Sequence, residues 1–130
     1  MEQIAKVAID AGEDVVMGHG LHQPLPIGFH AGSIFYGLGS FSFHMGHLGM
    51  AHGNWIGLLA SIDLQGNNGW SGGESEISFR FVRHNDNNET YLYHQDDEEQ
   101  TVKLMQKASE KYGAQLLVIG DSVCARPLRR

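Results

Sequence analysis

Only two stretches of this chain carry a helical period, and they lie near its two ends. Residues 12–73 are broken by glycine too often for a helix to persist, and the glycine-free stretch that follows alternates at residues 76–83 in the manner of a strand. Glycine supplies 17 of the 130 residues, nearly twice its ordinary share of about 7%. The glycines follow no short repeat, which excludes a collagen-like fibre. They predict turns and close backbone approaches in a loop-rich α/β protein. The fold class expected is α/β, with a mixed or mainly antiparallel sheet and one helix near each end.

The first helix is predicted over residues 2–11, with Ile4, Val7, Ala8 and Ala11 on one face and Gly12 as its left-handed stop. A helix this close to Met1 reads as a chain entered part-way through a βαβ unit. The second is predicted over residues 96–112. Val102, Met105, Ala108 and Tyr112 share a face, and Gly113 ends it. Asp96, Asp97, Glu98 and Glu99 bring negative charge to its positive end, with Lys107 and Lys111 near the other. That acidic run reads as a solvated helix start.

Strands are expected at residues 14–18, 25–29, 34–36, 55–64, 76–83, 90–93 and 115–119. The first is a short β-branched run, the pattern of a buried strand. Residues 76–83 alternate, with Ile77, Phe79 and Phe81 pointing one way and Ser78, Arg80 and Val82 the other. Residues 37–53 read as a long loop, residues 65–69 and 84–88 as turns, and the end of the chain as a basic tail.

Hydrophobic residues make up 42% of the chain, enough for one core. A domain of this size buries only roughly two-thirds of its unfolded surface. The formal net charge is −6, although Arg126, Arg129 and Arg130 cluster at the end. An acidic body without a basic stripe argues against nucleic acid as a partner. No apolar run approaches the roughly 18–20 residues of a membrane span. The single cysteine, Cys124, has no internal disulfide partner and leaves the redox compartment open.

The stretch most suggestive of chemistry is Gly18-His19-Gly20-Leu21-His22, directly after a buried strand, where α/β proteins place ligand sites. Two histidines three positions apart on a glycine-punctuated loop can aim their rings at one point. Neutral imidazole suits zinc, manganese or iron. The alternative is two polar loop histidines, one bonded to a backbone carbonyl. A second group, His44, His47 and His52, would bind a metal facially if its loop curled; otherwise it is a glycine- and methionine-rich loop near the site mouth. Trp55 and Trp70 read as packing residues. Asp121-Ser122 beside Cys124 has no neighbouring histidine, and Gly37-Leu38-Gly39 lacks the lysine and helix of a phosphate loop.

Residues 9–22, ending in the Gly-His-x-x-His loop, resemble the helix, strand and histidine segment of the CapA family of capsule-synthesis (poly-gamma-glutamate biosynthesis) proteins. Residues 32–43, Gly-Ser-Ile-Phe-Tyr-Gly-Leu-Gly-Ser-Phe-Ser-Phe, are similar to that family's second block, usually Tyr-Ser-Leu-Gly-Asn-Phe. The resemblance runs over residues 1–113, as the C-terminal part of such a domain, leaving residues 114–130 as a last strand and basic tail. It implies a partial four-layer, metallophosphatase-like β-sandwich of the calcineurin-like superfamily. It also implies a divalent metal, with His19 and His22 as ligands or neighbours of a substrate phosphate, and a bacterial cell-envelope setting for the parent protein.

Leu21 stands where the family commonly has proline, Gly37 where it has serine, and Ser40 where it has asparagine. The superfamily's earlier Asp-x-His, Gly-Asp and Gly-Asn-His elements would precede residue 1, and Gly66-Asn67-Asn68 is their nearest echo. A two-metal centre draws ligands from several loops, more than two histidines supply. The expectation is therefore a component of capsule or poly-gamma-glutamate synthesis that is not catalytic alone. The alternative is a metal-dependent phosphoesterase completed by a missing N-terminal half. Unpaired strand edges predict a homo-oligomer or that missing half as partner. An anionic polymer is a further partner, although the net charge of −6 opposes it unless a cation intervenes.

Overall fold

The computed structural model describes residues 1–41, 56–63, 77–85, 87 and 89–129. His44, His47, His52, Trp55, Trp70 and the turn at residues 65–69 lie outside the described residues. Among the described residues are two α-helices and eight strands, and the strands form two sheets. This is a mixed α/β arrangement in which strands predominate.

Helix α1 (Glu2–Asp10) is followed by β1 (Val15–Met17), β2 (Ile27–Phe29) and β3 (Ser33–Phe35). The order in this small sheet is β1-β3-β2, with β1 parallel and β2 antiparallel to β3. Gly12, at φ +111°, stops α1 as expected. The face of α1 that meets the sheet is not the one the periodicity selects. Ala5 and Ile9 are buried, whereas Ile4 and Val7 are 71% and 66% exposed. Three strands are too narrow to cover the helix's whole apolar circumference, and the small Ala5 sets the contact face.

The second sheet has the order β4-β5-β8-β7, with β6 also paired to β5, and every pairing is antiparallel. Its strands are β4 (Ile56–Ile62), β5 (Ile77–His84), β6 (Thr90–Tyr93), β7 (Ala114–Ile119) and β8 (Ser122–Pro127). The alternation in β5 is as expected: Ile77, Phe79 and Phe81 are fully buried in the main core. They meet Ile27 and Phe35 of the small sheet and Val102 and Met105 of α2 (Glu99–Glu110). The small sheet thus lies between α1 on one face and the main core on the other.

Two expectations are corrected. The tail predicted after Ile119 is in fact β8, which lies between β5 and β7, with Val123, Cys124 and Ala125 buried. Its sequence carries no alternation, and its closing Arg-Pro pair looks like a chain end. The acidic run at residues 96–99 is not wholly solvated. Asp96, Asp97 and Glu99 are exposed, but Glu98 is buried at the end of a 3₁₀ turn (Gln95–Glu98).

The register of β5 explains why. Arg83 shares the parity of Phe79 and Phe81, so its side chain leaves the strand on the core side. Its Nε donates to Glu98 Oε1 at 2.6 Å, and its Nη2 bonds the same oxygen. Thr101 Oγ1 donates to Glu98 Oε2 at 2.9 Å, and the guanidinium lies over the Tyr93 ring at 5.1 Å. Removing one partner of a buried pair strands the other, at about 3–5 kcal/mol. Glu98→Ala is therefore expected to lower stability by that order in urea denaturation, and Glu99→Ala, at an exposed surface pair, to leave the midpoint nearly unchanged.

Candidate functional site

The loop carrying His19 and His22 is fastened at both ends to one extended segment. At its start, Gly18 N–H donates to Phe35 O (2.6 Å), and Leu38 N–H donates to Gly18 O (3.3 Å). At its end, Leu25 N–H donates to Gly37 O (3.0 Å), and Pro24 bridges to Leu38. Gly18 has no space for a side chain, since a Cβ there would lie 2.2 Å from Tyr36 O. Gly20, at φ +106°, turns the chain between the two histidines.

The segment after β3 was expected to begin a long loop. Its described part instead runs extended onto β4. Leu58 N–H donates to Leu38 O at 2.7 Å, and Gly39 bridges to Gly57. The contact is backbone against backbone: a Cβ on Gly57 would meet Ser40 O at 2.3 Å, and one on Gly39 would meet Ile56 O at 2.5 Å. Gly39 also has φ +73°, a conformation that side chains disfavour. Beyond it, Phe41 O accepts a hydrogen bond from Thr90 Oγ1 of β6 at 3.0 Å.

These constraints bring residues 18–22 and 39–41 together around a cleft of about 270 Å³. His19, Gly20, Leu21 and His22 form one wall, and Gly39, Ser40 and Phe41 the other. Both histidines are exposed to the cleft mouth, while Ser40 is buried. Nearby, burial pushes the Tyr36 phenol above the ordinary tyrosine range.

The protonation pattern of His19 follows from one bond. Gly20 N–H donates to His19 Nδ1 at 2.7 Å. A backbone N–H can only donate, so Nδ1 holds the lone pair and the neutral ring carries its proton on Nε2. The ring therefore presents a donor at Nε2, suited to an anionic oxygen. Metal ligation through either nitrogen requires the Gly20 bond to open or the ring to lose that proton.

Among the described residues, no group of three or more histidine, cysteine, aspartate or glutamate side chains is placed to hold a metal. His30 is engaged with Asp10 at 2.8 Å. Asp121 pairs with Arg80 at 3.3 Å, and Cys124 is buried within β8, so these residues do not form a nucleophilic site. Gly37 packs against Leu25 and is no phosphate loop. Thr90 and Gly57 were not anticipated as site supports. A lone glycine within an apolar strand does signal close backbone approach, but nothing marks Thr90.

No family model matches the chain, and no curated protein matches its sequence.

Because Gly57 lets the wall at Ser40 approach β4, Gly57→Ala forces backbone to move. It is expected to cost on the order of 3 kcal/mol in chemical denaturation. Chemical-shift changes should centre on residues 38–41.

Proposed function

We propose that this chain is a CapA-type component of capsule or poly-gamma-glutamate synthesis that binds an anionic group at the His19/His22 cleft and is not catalytic alone. The observation that carries this reading is that residues 19–22 and 39–41, which belong to the two resembling blocks, line one cleft. His19 Nε2–H serves there as donor to a phosphate or carboxylate oxygen, with His22 beside it.

The described donors do not fit a two-metal centre, because two histidines, one of them holding its Nδ1 toward Gly20, are too few. No hydrolytic step is derived from them. A second reading, a phosphoesterase whose remaining zinc, manganese or iron ligands come from another chain or segment, is favoured by both histidines sharing the cleft. Either reading includes a protein partner. No helix among the described residues is long and apolar enough to cross a membrane. The net charge of −6 repels a polyanion, so binding of an anionic polymer should strengthen with added divalent cation.

Elemental analysis and a phosphomonoester hydrolysis assay on the purified chain, beside His19→Ala/His22→Ala, separate the two. The binding reading expects no tightly held transition metal and no turnover above the double variant. About one metal per chain, lost with turnover in the double variant, would establish the phosphoesterase reading instead.

A further inference from the structure

The apolar flank of α1 is turned away from the sheet it packs on. Met1, Ile4 and Val7 are 62%, 71% and 66% exposed, while Glu2 and Lys6 pair on the opposite flank at 2.6 Å. That apolar flank overhangs β1, and between them is a groove of about 250 Å³ lined by Met1, Ile4, Ala5, Val16, Met17 and Tyr36. Met17 itself is 51% exposed. A helix whose apolar stripe lies over a strand edge has its natural cover beside that edge.

Among the described residues the edge is open for pairing. Strand β1 is the outer strand of the small sheet. Ser33 N–H donates to Asp14 O, and Gly18 exchanges bonds with Phe35 and Leu38. Strand geometry alternates, so Asp14, Val16 and Gly18 turn their backbone groups toward β3. Val15 and Met17 turn theirs outward, where no strand lies among the described residues.

The edge is also complementary to itself. Its N-terminal end carries Glu13 and Asp14, and its C-terminal end leads into His19 and His22. An antiparallel copy centred on Val16 sets Val15 opposite Met17 of the second copy, and the reverse, closing both outward pairs. Beyond the strand ends, the acidic Glu13 and Asp14 of one copy then lie toward the His19 and His22 end of the other, carboxylates beside imidazoles. A two-fold axis normal to the sheet keeps both α1 helices on one face, with their Ile4 and Val7 flanks toward each other.

We propose that the β1 edge and the overhanging flank of α1 form a two-fold interface with a second copy of this chain, in which the acidic end of each β1 lies beside the histidine end of the other. A three-residue edge and one helix flank make a small interface, so association belongs in the micromolar range.

Sedimentation velocity across the micromolar range, with three variants of the full chain, tests it. Met17→Pro removes an outward N–H and no internal bond, and Ile4→Glu charges an exposed position. Each is expected to weaken dimerisation on the order of tenfold or more while leaving circular dichroism unchanged. Val16→Cys should oxidise to a disulfide-linked dimer, since opposed residues of such a pair have Cα atoms about 4.5 Å apart. The native Cys124 is buried and does not compete. A wild-type monomer throughout would overturn the proposal. So would a dimer that persists in Ile4→Glu and does not cross-link through Val16→Cys; if Met17→Pro unfolds, these two measurements decide.

Discussion

The architecture turns on a place where three backbones touch without side chains between them. The segment after β3 passes within contact of Gly18 on one side and Gly57 on the other, and a Cβ at either would penetrate a carbonyl. This close approach lets Leu38 accept from Leu58 while its own N–H donates to Gly18 O. One residue therefore hydrogen-bonds both the end of β1 and the start of β4, and the two sheets become one hydrogen-bonded body. The shared core of Phe35, Leu58 and Phe79 supplies the apolar free energy. The glycine contacts fix how the sheets meet.

The cleft is a by-product of that seam. Because residues 35–38 hold both ends of the histidine loop, His19 and His22 cannot drift away from Ser40 without breaking sheet hydrogen bonds. The loop itself is left exposed, and the bond from Gly20 N–H to His19 Nδ1 sets the proton of the neutral ring on Nε2. The site so formed is a rigid wall facing a small loop with donor character.

Much of this was legible in the sequence. The buried face of β5, the stop at Gly12, the helix at α2 and the hairpin of β2 and β3 follow from alternation, period and glycine placement. The misses have physical causes. Strand β8 is buried mainly through small residues, Val123, Cys124 and Ala125, and so has no alternation to detect. Glu98 looks like its acidic neighbours, and only the parity of Arg83 on a distant strand makes it a buried partner. The exposed Ile4 and Val7 show the limit of periodicity, which finds a helix but not the width of the surface it must cover. For the site, the histidine loop and the segment at residues 39–41 were singled out separately, but the glycine contacts that join them depend on Gly57 in β4, read only as part of a strand.

Native-state hydrogen exchange of individual amides tests the seam most directly. If it joins the sheets into one cooperative unit, the amides of Gly18, Leu38 and Leu58 exchange with the same opening free energy as core amides of β5, such as Phe79 and Phe81. Exchange of Gly18 and Leu38 at a markedly lower free energy, with β5 still protected, would contradict this. The small sheet would then open independently, and the histidine cleft would not be held by the fold.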